Sequence, residues 1–390
     1  MSTETQTLDT VAGPLDFADS PLSVVARQPF LLGLFLSTQT GGFSQSTHPR
    51  TVRWDFEYNK QLTLAAERHG FDLAFSLQQW LPKGGFGGEI KYRENFLDPF
   101  VTSTALSAVT RRILLISTVS VLYGNLHPLY LARYAATADH ISQGRSGLNL
   151  VTGYDANEPQ MFGTVRQEHD QRYEQADEFT RILERLWEGR DNVDWDGTYY
   201  KLQGAYVSPR PKYGRPILVS ACASDAGFNF AARHADVVFT SSPAGPVFER
   251  AIEALPDHVK RIRAAYARYG RTPRIIIFPL VICRPTREEA HAYRDAIVAA
   301  ADVASIRAYA ARHAGGDAQG WPEHIPADRV LGGHIQIVGS PEDVADAFQK
   351  LQDAGLDGVQ IGFYDYVPEL EFFAANVLPL LVARGLRTVQ

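Results

Sequence analysis

From about residue 30 onward, short and uniformly apolar runs alternate with longer stretches in which apolar residues recur every three or four positions. The runs are FLLGLFLS (30–37), DLAFSL (72–77), ILLISTVSVL (113–122), SGLNLVT (146–152), PILVSAC (216–222), DVVFTS (236–241), RIIIFPLVIC (274–283) and GVQIGFY (358–364). They are continuous and rich in β-branched residues, as strands buried on both faces of a parallel sheet must be. The stretches between them predict amphipathic helices with the expected punctuation. Ser340 followed by Pro341 and Glu342 reads as an N-cap with proline in the first turn, and Gly355 ends that helix. Eight strands alternating with eight helices predict a (β/α)8 barrel. A doubly wound open sheet is the alternative, with about five or six strands.

Three segments exceed a bare barrel: 78–97 after the second strand, 190–214 after the fourth, and 314–338 after the seventh. The middle one, with WDGTYY and VSPRPK, predicts a hairpin excursion; loops of such length are usually lids or binding segments. Residues 1–28 are polar and acidic and predict a flexible leader, followed by one barrel domain over 29–390.

Composition narrows the class of function. A net charge of −6 argues against a nucleic-acid binder, which carries a basic surface. No run of about 18 apolar residues suggests a membrane span, and residues 1–20 lack the basic and apolar regions of a secretory signal. The two cysteines, Cys222 and Cys283, fall in separate strands without metal-ligand spacing; buried free thiols and a cytoplasmic location are expected.

Barrel active sites lie at the C-terminal ends of the strands. Ser224, after the fifth predicted strand, is placed to cap the next helix. The N–H groups of Asp225, Ala226 and Gly227 then face any bound anion at the positive end of the helix dipole; an ordinary N-cap explains the same residues. KGGFGGE lacks the GK[ST] ending of a phosphate loop and reads as a lid. His48, His69, His127, His140, His169 and His234 are scattered with no metal-binding spacing, and no GxSxG elbow is present. With no metal expected and no activated nucleophile in view, the chemistry falls to an organic cofactor.

The segments YLARYAATADHISQGR, SQGRSGLNLVTGYDANEPQMFG, HDQRYEQADEF and SDAGFNFAARHADVVF, in this order, resemble the bacterial-luciferase-like, FMNH2-dependent monooxygenases. Within that family they are most similar to the pyrimidine monooxygenase and dimethyl sulfone monooxygenase group. The resemblance spans about residues 30–385. It implies a luciferase-like TIM barrel with reduced FMN (FMNH2) across its C-terminal mouth. By motif position, Asn149, Glu158, Arg172, Tyr173 and Ser224 are implied flavin ligands, the last three at the phosphate, with Gln78 and Gln79 as a further contacting pair. Thr118 and Asn149 are implied to form an oxygen pocket and to act catalytically. The implied reaction is oxygen transfer from dioxygen to a small neutral substrate such as an N-heterocycle or sulfone, by a flavin peroxide at either N5 or C4a. FMNH2 comes from a separate NAD(P)H:flavin reductase, and a homodimer or homotetramer is expected.

Where sulfonate-using relatives carry charged residues on the seventh strand, this chain has Phe278 and Leu280, which disfavours a sulfonate because a buried anion needs a cationic partner. Trp80, Phe86, Phe278 and Tyr364 are candidate substrate walls, and His48 and His127 candidate polar anchors. Two alternatives share the fold: a deazaflavin- or flavin-dependent dehydrogenase or reductase, and a non-catalytic flavin-binding protein.

Overall fold

The computed structural model describes residues 11–122, 126–153, 155, 157–313 and 327–388. In chain order the strands are β1 (Leu31–Phe35), β2 (Leu73–Ser76), β3 (Leu114–Ser120), β4 (Ser146–Val151), β5 (Val193–Asp196), β6 (Lys201–Ala205), β7 (Ile217–Ala221), β8 (Val237–Thr240), β9 (Arg274–Ile277), β10 (Pro279–Cys283), β11 (Ile335–Gly339) and β12 (Gly358–Phe363). Parallel pairing runs β1-β2-β3-β4-β7-β8-β9-β12, and β12 returns to β1, with Leu31 opposite Gly358 and Leu34 opposite Ile361. The sheet therefore closes into the expected eight-stranded barrel.

Closure depends on the residue types at the seam. Gly33 lies opposite Gln360, and a Cβ on Gly33 would stand 2.0 Å from Gln360 Oε1. Only glycine lets that long side chain fill the interior. The eight barrel strands are largely buried on both faces, as their unbroken apolar runs predict, and they share a core with the inward faces of the helices. Helix starts follow local chemistry: Asp55, Asp98, Ser224, Thr286 and Ser340 accept hydrogen bonds from first-turn N–H groups, and proline follows at Pro99 and Pro341.

The N-terminal ends of the strands are fastened by buried ion pairs. Arg215 grips Asp236 through two bonds of 2.6 and 2.7 Å, and Arg387, near the C-terminus, reaches back to Asp72. This face secures the fold, leaving the opposite face for function.

Three expectations need correction. The seventh predicted strand is two: Pro279 has no N–H to give the ladder, so the chain breaks at Phe278 and β10 swings out to pair with the end of β12. Residues 335–338, expected within a loop, belong to β11, which pairs with β10; its five residues alternate between buried and half-buried, a pattern hidden behind Gly332 and Gly333. The leader is structured from residue 14, because helix Pro21–Val25 buries Leu22 and Val25 and Ser20 caps it. No membrane span was expected, and the segment Tyr366–Ala383, apolar enough for one by composition, forms two helices, Tyr366–Asn376 and Leu378–Ala383, with Leu370, Phe373, Val377 and Leu381 buried in the core. The excursion 190–214 contains the expected hairpin, β5–β6.

Candidate active site

A cavity of about 510 Å3 opens at the C-terminal ends of β2, β3, β4 and β7. Phe35, Phe75, Leu77 and Phe239 supply apolar wall, and the polar lining includes Gln78, Thr118, Asn149, Glu158, Arg172, Tyr173 and Ser224. These seven come from six separate places in the sequence, and each is a predicted site residue.

The β3–β4 register sets Thr118 beside Asn149. Asn149 Nδ2 donates to Thr118 Oγ1 at 3.1 Å, so the Thr118 hydroxyl keeps its own proton to offer elsewhere. Asn149 is buried, and its Oδ1 accepts no hydrogen bond among the described residues. An orphaned buried acceptor costs about 1–3 kcal/mol, which a bound donor would recover. Gln78 Oε1 accepts from Ser120 N at 2.7 Å, leaving the amide nitrogen as a donor. Glu158 is buried on the short helix Glu158–Met161 and accepts from Trp80 N at 3.0 Å.

The other end of the cavity is built from two helix starts. Helix His169–Glu188 delivers Arg172, whose Nη1 donates to Gly153 O at 2.5 Å, and Tyr173. Helix Asp225–His234 begins at Ser224, whose Oγ accepts from Gly227 N at 3.2 Å. Burial raises the Tyr173 hydroxyl above its ordinary value, against opposing hydrogen bonds from Ser224 and Thr152 and the charge of Arg172, so it remains a proton donor. A Cβ on Gly227 would lie 2.6 Å from Cys222 Cβ and 2.8 Å from Tyr173 Oη: the space is a cradle that a side chain would fill. A guanidinium, two hydroxyls and a helix N-terminus suit a phosphate. The apolar walls and the orphaned amide suit a flat, hydrogen-bonding ring beyond it. The residues fit a phosphorylated flavin.

Cys222 also lines the cavity, but it is a free, buried thiol pushed up to about 12 by burial and offers no thiolate. Cys283 is likewise free and buried.

The remaining predicted residues lie outside the cavity lining. Gln79 accepts from Arg93 Nη1 at 2.5 Å in the layer behind. Trp80 is largely exposed and packs edge-on against Phe162 at 5.2 Å. Phe86 is buried against Tyr92, Tyr309 and His313. His127 is a helix N-cap, its Nδ1 accepting from Leu129 N at 3.1 Å. His48 and Tyr364 belong to one cluster, in which Tyr364 Oη donates to His48 O at 2.6 Å. Phe278 packs behind Phe35 at 4.6 Å and against His334 at 3.9 Å, one side chain removed from the cavity. His169, by contrast, lines the cavity and was not singled out from the sequence as a site residue. Its spacing of three and four from Arg172 and Tyr173 places it on their helix face.

A larger depression, about 950 Å3, lies between helix His169–Glu188 and the β5–β6 hairpin. Its carboxylates are committed to structure: Glu178 accepts from Trp195 Nε1 and from the N–H groups of Thr198, Tyr199 and Tyr200, and Asp177 pairs with Arg233 and His234. Chemistry is better placed in the smaller cavity.

Comparison with known proteins follows the same direction. Residues 31–358 match the family model described as luciferase-like monooxygenase. The chain is 30% identical over 366 residues to the FMNH(2)-dependent dimethylsulfone monooxygenase of Pseudomonas fluorescens, covering 92% of this chain and 96% of that one. It is 31% identical over 361 residues to the pyrimidine monooxygenase RutA of Rhizobium rhizogenes, covering 90% and 96% respectively. Among solved structures, a riboflavin lyase crystallised with modified FMN and riboflavin superposes with a TM-score of 0.80 at 26% identity, covering 93% of both chains.

Proposed function

The chain belongs to the luciferase-like monooxygenase family, and from that premise we propose that it is an FMN-dependent monooxygenase acting on a small, neutral organic molecule such as a sulfone or an N-heterocycle. The convergence of Gln78, Thr118, Asn149, Glu158, Arg172, Tyr173 and Ser224 on one cavity at the catalytic mouth of the barrel carries the proposal. Relatives named as FMNH2-dependent monooxygenases support it, and neither a dehydrogenase nor a non-catalytic flavin carrier is favoured.

Arg172, Tyr173 and Ser224 would hold the flavin phosphate, and Gln78, Asn149 and Glu158 would meet the polar edge of the ring. When bound, reduced FMN supplies the two electrons that divide dioxygen between the product and water. Around it, Phe35, Phe75, Leu77 and Phe239 exclude bulk water and lower the local dielectric, which strengthens every polar contact inside. The Thr118 hydroxyl, fixed by Asn149 Nδ2, offers a preorganised donor where negative charge grows on dioxygen. Asn149 Oδ1 is the matching acceptor for a ring N–H.

A separate NAD(P)H:flavin reductase supplies the reduced flavin. The enzyme works in the cytoplasm, a location supported by its two free, buried thiols. It assembles as a homodimer or homotetramer, supported by Val101, Tyr130, Tyr134 and Ile141 exposed on the neighbouring helices Pro99–Val109 and Pro128–Ser142.

Isotope tracing tests the reaction. Enzyme loaded anaerobically with FMNH2 and then given 18O2 and a panel of sulfones and pyrimidines should yield a product carrying one 18O atom. Asn149→Ala should retain the fold and lose turnover. Label derived only from water, or a fully active Asn149→Ala, would overturn the proposal.

A further inference from the structure

The first turn of helix His169–Glu188 turns three side chains toward the cavity: His169, Arg172 and Tyr173. The first of these is held at both ring nitrogens. Nδ1 lies 2.9 Å from Asp170 Oδ1, and Nε2 lies 3.4 Å from the Oγ of Ser224, the hydroxyl that caps helix Asp225–His234. The imidazole also packs edge-on against Tyr173 at 5.2 Å. The ring therefore stands at the phosphate cradle itself.

A carboxylate beside Nδ1 keeps a proton on that nitrogen. The neutral ring then presents a lone pair at Nε2, and only the imidazolium presents an N–H there. A phosphate oxygen between Tyr173 and Ser224 is purely an acceptor. It is repelled by the neutral ring and receives a charge-assisted hydrogen bond from the protonated one.

We infer that His169 takes up a proton when the flavin phosphate binds, and serves in that form as a fourth, pH-dependent phosphate ligand beside Arg172, Tyr173 and Ser224. The inference rests on the flavin reading above and adds the ligand that couples cofactor binding to pH. Several other groups face the same space. On its own helix these are Asp170, Arg172 and Tyr173. At the start of helix Asp225–His234 lies Asp225, which is paired with Arg261 at 2.6 Å. Glu158 approaches from across the cavity, and Cys222 lies at the end of β7. Burial raises both Tyr173 and the Cys222 thiol, the latter to about 12, so neither gives up a proton near pH 8.

Calorimetry tests this directly. FMN, in both redox states and under anaerobic conditions, is titrated into the protein at pH 8 in buffers of different ionisation enthalpy. At that pH a phosphate monoester, with its second pKa of about 6, is already a dianion, so any proton taken up belongs to the protein. Wild-type protein should take up protons on binding FMN, and its affinity should weaken as pH rises. His169→Asn and His169→Gln should bind FMN more weakly, without proton uptake and with a flat pH profile. Riboflavin, which has no phosphate, should bind the wild type and both variants alike with no uptake. Uptake absent from the wild type, or undiminished in the variants, would overturn the inference while leaving the flavin site intact. Failure of wild-type protein to bind FMN at all would overturn the flavin reading, and this inference with it.

Discussion

Gly227→Ala separates the stability of the fold from the working of the site. The position is the third residue of helix Asp225–His234, where alanine is intrinsically favoured over glycine by about 0.8–1 kcal/mol. Against that gain, the new Cβ would lie 2.6 Å from Cys222 Cβ, 2.8 Å from Tyr173 Oη and 3.4 Å from Ser224 Oγ. Cys222 Cβ is tied to backbone and yields little, whereas the tyrosine hydroxyl sits at the end of a ring and can be pushed aside. Overpacking of this kind costs about 1–3 kcal/mol, so the net loss of stability is about 0–2 kcal/mol. The effect on cofactor binding is larger. Displacing one hydroxyl from a charged phosphate loses about 1.5–3 kcal/mol, or about 10- to 150-fold in Kd. Fluorescence titration should show that loss for FMN and little change for riboflavin. In a double-mutant cycle, Gly227→Ala and Tyr173→Phe should be non-additive, since both remove the same contact. FMN affinity within about twofold of wild type in a folded Gly227→Ala protein would refute the cradle.

Two further outcomes follow from buried charges. Arg312, on helix Val303–His313, pairs with Asp155, whose side chain is fully buried, and Arg312 Nη2 donates to Trp80 O at 3.4 Å. Arg312→Ala should weaken the docking of that helix by about 3–5 kcal/mol and speed hydrogen exchange there and around Glu158, with barrel strands unchanged; equal exchange would refute it. Burial pushes the Glu369 carboxyl from 4.5 up to about 7, against the pull of Arg284. Between those values the folded protein binds a proton that the unfolded chain does not, so this residue's contribution to stability falls as pH rises from about 4.5 to 7. Urea midpoints compared at pH 5 and pH 8 should show that decline reduced in Glu369→Gln, and an identical decline in both proteins would contradict the assignment.

The barrel was legible because its strands, buried on both faces, are unbroken apolar words in a chain otherwise patterned for helices. The same rule hid β11: IQIVG alternates and follows two glycines, so it reads as loop. It also merged β9 with β10, because Phe278 is as apolar as its neighbours and only Pro279 marks the break. Asn149, Glu158 and Arg172 were readable through the motifs by which the chain resembles a known family; that all three are buried, which polar types seldom are without a partner, shows only in the structure. The expected aromatic walls fared differently. Phe86, Phe278 and Tyr364 are apolar residues near the mouth, yet they pack into neighbouring clusters while Phe35, Phe75 and Phe239 line the cavity. Composition does not distinguish an aromatic ring that faces a cavity from one that supports it; only the register and the loop packing do.

A crystal structure of the protein soaked with FMN would test the central claim most directly. The account predicts phosphate oxygens within about 3 Å of Tyr173 Oη and Ser224 Oγ, with the ring extending toward Thr118 and Asn149. Clear density for FMN elsewhere, whether in the groove beside the β5–β6 hairpin or on the outer helices, would contradict it.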